Sequence, residues 1–556
     1  MTILLHRIWP VLALVLALFG NAAPARSGDL VIGITQYPTT LHPLINAMMS
    51  KSYTHAMTRR PLMTFDPDWN LTCLLCTEIP TFENGRAERE KTPTGQTGVA
   101  LTFTLHPDAV WADDVPVSSQ DVVFTWEVGK HPQSGVAAGE TYNQILAIDV
   151  VDEKTFVMHI DRLAFDYNDF AGFDILPDHV ERSIFEADPA NYKSRTAFDT
   201  DSLNPGLYHG PYVIAEKVSG SHIALERNPL WWGDAPAFDR IVVRAVENTS
   251  ALEANLLSGS IDMIAGEVGM NIDQALAFSK RFGNRFNVVH RSGLVYEHID
   301  LNLDNPILAD VRVRRALVHA IDREAISMQL FAGRQPVAAS NVNPLDSMHD
   351  GALQTLEYDV RKAEALLAEA GWDRLRDGVR VNAAGDRLSL EFMTTAGNRT
   401  RELVQQVLQS QWARVGIEVR IVNEPARVFF GKTLTERLFT GLAMFAWISA
   451  PESLPRTTLH SSHIPDPSNG FGGQNFTGFR NAEVDRLIDE IELELDRDRR
   501  RALWSRMQEI YIDQVPVIPL YFRANSYILP PWLDGVTPTG HQFPSTLWVE
   551  HWRDNR

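Results

Sequence analysis

Cys73-Leu74-Leu75-Cys76 holds the only two thiols of the chain. Such a pair can close a local disulfide, cycle as a redox couple, or supply part of a zinc site. A redox couple needs a thioredoxin-like strand-to-helix setting, and the flanking residues do not spell one. Zinc needs more ligands, and no second cysteine pair or paired histidine stands nearby. A disulfide needs an oxidising compartment. Hydrolytic chemistry finds no foothold, because the chain has neither Gly-x-Ser-x-Gly nor His-Glu-x-x-His. Asp113-Asp114 is a carboxylate pair, but adjacent side chains in a turn before Val115-Pro116 are expected to be solvated, with no partner acid in view. Gly470-Phe471-Gly472-Gly473 lacks the following Lys-Ser/Thr of a phosphate loop and reads as a surface loop. The 17 histidines show no metal-ligand spacing. No cofactor, metal site or catalytic residue is expected.

The compartment is legible at the N-terminus. His6 and Arg7 precede an apolar run from Ile8 to Phe19, too short for a membrane span, which needs ~20 apolar residues. Ala23-Pro24-Ala25 offers a cleavage site, with Ala22 in competition, so residues 1–25 are expected to be a signal peptide. No cysteine follows the run, which argues against a lipid anchor. Export to the periplasm favours the disulfide between Cys73 and Cys76. The net charge of −19 excludes a nucleic-acid binder, whose sign would be opposite. With 44% hydrophobic and 22% charged residues, the composition is that of a globular protein. A chain of this length exceeds one core, so at least two lobes are expected.

Several elements stand out. Leu30 to Thr35 is a strand candidate, followed by a polar and aromatic loop from Gln36 to Pro43. Glu83 to Gly98 is charged and bears Gly and Pro, so it reads as an exposed insertion. Leu101 to Leu105 alternates as a strand does. Ser118 or Ser119 can cap a helix carrying Val122, Val123 and Trp126. Gly210-Pro211 marks a turn before two short strands around Ser219-Gly220, and Asn228 to Pro236 is a loop with Trp231 and Trp232. Ile241 to Val243 reads as a buried strand, and Thr249 to Leu257 as a helix stopped by Gly259. Asp310 and Asp359 cap helices, the second ended by Gly371. Leu388 to Phe392, a helix from Thr400 to Val415, and Ile417 to Ile421 make a βαβ unit, with Leu403, Val404, Val407, Leu408 and Trp412 facing inward. Ala482 to Ile512 is helical in two parts, broken near Asp496 to Asp498, and Val515 to Tyr521 is a strand.

The order of six short motifs is similar to that of the family-5 extracellular solute-binding proteins of peptide-type ABC importers. The motifs are Leu41-His42-Pro43; Trp111 to Val117 with Asp121 and Phe124; Gly210-Pro211-Tyr212 with Asn228 to Trp232; Gly259 to Asp262; Leu301-Asn302-Leu303 with Asp310 to Leu317; and Tyr358-Asp359 to Gly371-Trp372. The resemblance covers nearly all of the chain after the signal. It implies a two-lobed α/β fold that closes on a ligand about a two-crossing hinge. Lobe I would be 28–296 plus 521–556, with an inserted subdomain near 61–195, and lobe II 297–520. The implied function is capture of a peptide or peptide-like solute by a monomer and its delivery to a membrane permease. A non-peptide cargo (an opine, a sugar conjugate or a metal chelate) is the alternative, and an exported hydrolase or an importer-free sensor lies further off.

The resemblance also places the ligand. Family members that bind peptides hold the α-amino group with the Asp of a Trp-x-Ala-Asp segment, and Ala450 stands there in Trp447 to Glu452. An ammonium buried without a counter-charge is costly. Either Glu452 replaces that carboxylate or the ligand has no free amine there. Trp447 and Ser449 are expected in the pocket, with a core position as the competing reading for Trp447. Tyr37 and Thr39 would line the opposite wall. Asn302 and Tyr521, near the crossings, are ligand candidates with structural hydrogen bonding as the competing role. Arg427 reads as a solvated helix residue that could meet an anionic group.

Overall fold

The computed structural model describes residues 28–136 and 139–556, so the signal expected over 1–25 lies outside them. A ten-stranded sheet runs through the molecule. Two long antiparallel strands, Asn287–Leu301 and Val517–Leu529, lie side by side within it. Their register slips between Ser292 and Tyr296, and again between Glu297 and His298. Gly293 sits in the first break, where a Cβ would lie 2.5 Å from the Gly540 carbonyl oxygen. Only glycine allows that backbone approach.

On one side of the breaks the sheet continues through Met263–Ile264, Asp29–Ile34, Arg240–Ala245, His222–Arg227 and Tyr212–Val218. On the other it continues through Leu442–Ile448, Ser389–Met393 and Glu418–Ile421. Each side packs its own large core, one around Leu30, Trp111 and Tyr212, the other around Ile299, Leu317 and Trp412. A separate antiparallel sheet, in the order Ala87–Lys91, Thr97–Thr104, Thr155–Ile160, Ile145–Val150, joins the first core.

Local signals explain most elements. Ser118 and Asp121 form a reciprocal capping box at the start of Ser119–Lys130. Asp359 accepts from the Lys362 N–H at the start of Val360–Glu369. Gly259, at φ +77, stops Thr249–Ser258. Ser389–Met393, Arg399–Arg414 and Glu418–Ile421 form the βαβ unit, with Leu390 opposite Val419 in parallel register. Asp496 begins the second helix of the broken pair, Arg497–Gln514.

Two expectations are corrected. The charged stretch 83–98 is not a loose insertion. Ala87–Lys91 pairs with Thr97–Thr104 as an edge strand whose charges face outward, and charge on an edge deters further pairing. Leu403 is exposed, because the buried stripe of its helix runs through Val404, Leu408 and Trp412.

Candidate functional site

The strand from Tyr296 to Leu301 reads Tyr-Glu-His-Ile-Asp-Leu, and successive side chains on a strand point to opposite faces. Tyr296, His298 and Asp300 share one face, which floors a cavity of about 150 Å³. Across the ladder, Tyr296 stands opposite Trp447, His298 opposite Phe445, and Asp300 opposite Ala443. Glu297 and Ile299 face the other way. Ile299 enters the second core, and Glu297 meets the guanidinium groups of Arg401 and Arg523. Burial alone would raise the Glu297 pKa, but Arg523 and Arg401 outweigh it and hold the carboxyl below its ordinary range.

Asn343, Asp346 and the segment Ile448 to Leu459 wall the cavity, and Trp504 and Tyr511 reach it from Arg497–Gln514. The Tyr296 and Tyr511 hydroxyls are 2.9 Å apart. His298 stacks on Tyr296 at a 13° interplanar angle and meets Phe445 edge-on. Its Nδ1 lies 3.1 Å from the Tyr296 carbonyl oxygen. Its Nε2 lies 3.3 Å from Asp300 Oδ1, close enough for charge contact but out of line for a hydrogen bond. Trp447 stacks on Phe476 with centroids 5.9 Å apart.

A larger cavity of about 710 Å³ adjoins the first, sharing Ala450, Ser453 and Leu454 as a common wall. Its other walls come from both halves of the molecule: residues between Phe65 and Thr81, Arg162 to Asp169, and Glu492 to Arg500. Here charge is balanced, with Arg162, Arg456, Arg497 and Arg500 facing Asp166, Asp169, Glu452 and Glu492. Arg456 lies 2.5 Å from Glu492. Burial pushes the Asp169 carboxyl up to about 6 and raises Asp166 as well. The halves touch beside this cavity, where the Phe165 N–H donates to the Glu492 carbonyl at 2.8 Å. The Arg500 guanidinium also lies 4.9 Å from the centre of the Phe165 ring.

The expected residues scatter over this geometry. Trp447 and Ser449 line the small cavity, Ala450 the shared wall, and Glu452 the larger cavity. Glu452 is already engaged: Arg497 donates to it at 2.8 Å, Arg500 lies 3.6 Å away, and Ser347 donates its hydroxyl. Its backbone is held at φ +55, with its N–H donating to Asp346 at 2.8 Å. Tyr37 and Thr39 line neither cavity, and Thr39 directs its hydroxyl to Met48. Asn302 donates its amide to the Phe439 carbonyl, and Tyr521 packs on Phe331 in the second core. Arg427 is exposed on the short helix Ala426–Val428. Cys73 and Cys76 are joined in a disulfide with Cα atoms 5.1 Å apart. Asp113 meets His179, and Asp114 occupies a turn at φ +70, away from both cavities. Among the described residues, no group of three or more His, Cys, Asp or Glu could hold a metal ion.

Sequence reasoning missed His298, Asp300, Asp346 and Tyr511. A signal was present for the first two. Four titratable residues between Val295 and Leu301 are too many for an ordinary buried strand unless each has a partner or a ligand.

Residues 86–463 match the bacterial extracellular solute-binding proteins, family 5. The chain is 25% identical to the oligopeptide-binding protein AppA of Bacillus subtilis over 92% of its own length and 89% of the relative's. It is 29% identical to the oligopeptide-binding protein of Thermus thermophilus solved with a pentapeptide. There the TM-score is 0.68, covering 94% of this chain and 96% of the other. NikA of Brucella suis, solved with Fe(III)-EDTA, shares the fold at a TM-score of 0.75 and 18% identity, covering 95% and 99%. The fold is thus the two-lobed α/β architecture that the motifs implied, and the chain belongs to the family-5 bacterial extracellular solute-binding proteins.

Proposed function

We propose that this protein is the exported, periplasmic binding component of an ABC importer, and that it captures a peptide or peptide-like solute between its lobes and presents it to the permease. One observation carries the reading. Two cavities adjoin, the larger walled by residues of both halves of the molecule, and the segment Ile448 to Leu459 walls both. The larger falls within the ~300–1000 Å³ common for small-molecule sites. The walls combine aromatic surface from Trp447 and Tyr296 with polar groups from Asn343, Ser449 and Gln474, which suits a ligand of alternating amides and side chains. The relatives named oligopeptide-binding point the same way. We read the protein as a monomer that performs no chemical step. We divide it as lobe I, 28–296 plus 521–556 with a subdomain near 61–195, and lobe II, 297–520. The register breaks of the two long strands supply the hinge, and closure is what the permease reads.

A non-peptide solute is the second reading. It is favoured by Ala450 at the family's amine-binding position and by the engagement of Glu452 with two arginines. Calorimetric titration of the mature protein with di- to pentapeptides tests the choice. Micromolar or tighter binding of at least one peptide is expected. No heat with any peptide, together with binding of an opine or a chelate, would replace the first reading by the second.

A further inference from the structure

Asp300 is the carboxylate of the small cavity that accepts no hydrogen bond to its side chain among the described residues, its one ion-pair contact being His298. Its side chain is 4% exposed and that of His298 1%. Its neighbours across the two ladders are Ala443 and Val517, which offer neither charge nor hydrogen bond from their side chains. Among the described residues no donor hydrogen-bonds to its carboxylate, and the nearest cationic candidate is the misaligned Nε2 of His298 at 3.3 Å. The other carboxylates within reach are spent. Asp346 accepts the Met348 and Glu452 N–H groups, each at 2.8 Å. Glu452 is held by Arg497, Arg500 and Ser347. The Nδ1 of His298 lies 3.1 Å from the Tyr296 carbonyl oxygen.

An ionised carboxylate walled by aromatic and aliphatic groups carries a desolvation penalty of several kcal/mol unless a cation meets it. In the larger cavity arginines meet Glu452 and Glu492, while Asp169, with no arginine beside it among the described residues, is pushed up to about 6 by burial. In the small one the misaligned His298 is the basic group within 4 Å of Asp300 among the described residues, and Asp300 also lines the cavity.

We propose that Asp300 receives an ammonium group of the ligand, and that the small cavity holds the ligand's amino end while the remainder extends past Ala450 into the larger cavity. This rests on the peptide reading above. The ammonium can be an α-amine or a lysine ε-amine, which share the same chemistry. Trp447 on the wall of the same cavity adds aromatic surface of the kind that attracts a compact cation. Ala450 is then no loss of amine recognition, because the counter-charge stands on the floor of the cavity rather than on its wall.

The test uses the whole mature protein and a mixed-sequence tri- to pentapeptide pool, with an isotope-labelled copy of the pool N-acetylated at the α-amine. Retained peptides are counted by mass spectrometry for the native protein and for Asp300→Asn. The native protein is expected to retain free-amine over acetylated peptides at least tenfold, and Asp300→Asn to bring that ratio near one while still retaining acetylated peptides. Acetylated peptides retained only when they contain lysine would assign the anchor to the ε-amine. A ratio near one for the native protein, with no preference for lysine among the retained acetylated peptides, overturns the proposal without recourse to any variant. An unchanged ratio in Asp300→Asn overturns it equally. Retention of no peptide at all by the native protein overturns the peptide reading and this inference together, an outcome distinct from the other two.

Discussion

One strand carries two buried carboxylates, three residues apart, on opposite faces. Glu297 meets two arginines, while Asp300 meets one misaligned histidine and an open cavity. The same contrast recurs inside the larger cavity, where Glu452 and Glu492 are paired with arginines while Asp169 is not. The difference separates stability from binding. A buried charge that the chain itself neutralises is part of the fold, and removing its partner strands it. A buried carboxylate left open is neutralised by a proton, as burial favours for Asp169, or by a cation that arrives from outside.

The contrast is sharpest at Arg401. Arg401→Met is expected to lower unfolding stability by about 3 kcal/mol, since it removes one of the two cations facing buried Glu297. Asp300→Asn is expected to leave stability unchanged or raised. Denaturant unfolding of both variants checks this, and equal destabilisation by the two would make Asp300 structural and dissolve the comparison. The Glu297 pair also has a pH signature. Its folded pKa is depressed, so its stabilisation is complete above the unfolded carboxyl value of ~4.5 and is lost as pH falls through the depressed folded value. Stability measured across acid pH should therefore drop less steeply in Arg401→Met than in the native protein.

Trp447→Ala comes next. It removes an aromatic from the small-cavity wall and should weaken peptide binding by about 2 kcal/mol, roughly 30-fold, with the fold intact. Calorimetry alongside circular dichroism checks both halves of that statement. Undiminished affinity would move the ligand out of the small cavity.

Asp169 probes the larger cavity at a similar size. Its folded pKa, about 6, lies above the unfolded carboxyl value, so this group costs stability as pH rises from ~4 to 6. Asp169→Asn should stabilise the protein by about 2 kcal/mol at pH 8 and by nothing at pH 3. Thermal unfolding at the two values decides it, and a gain confined to the acid side would reverse the assignment. The smallest effect expected is that of Ala450→Asp. A second carboxylate on the shared wall should tighten free-amine peptides a few-fold, less than ~1 kcal/mol, and leave acetylated ones alone. Weaker binding of free-amine peptides would show that the ligand's cation is not near that wall.

Much of the fold was legible in local chemistry. Ser118, Asp359 and Gly259 act where their hydrogen-bonding or backbone preferences place them. The βαβ unit followed from two alternating runs around a periodic one, although Leu403 shows that a stripe one residue too wide is easily drawn. The edge strand Ala87–Lys91 was hidden because its outward charges mimic a loop. The site was legible only in part. Trp447, Ser449 and Glu452 lie on one contiguous segment that a motif can mark. Whether Glu452 is free depends on Arg497 and Arg500, contributed by a helix 45 or more residues away, and no local pattern reports such a meeting. Asp300 was overlooked for the opposite reason. The run of titratable residues flagged its strand, but the absence of a hydrogen-bond partner shows only once the neighbouring strands are in register.

A peptide held in the two adjoining cavities would stay with the protein through gentle purification. The most direct test is mass spectrometry of the small molecules released when protein purified gently from the exported fraction is denatured. The account predicts short peptides, enriched in free amino termini or lysine over the surrounding pool. A single non-peptide solute released in stoichiometric amount would contradict it.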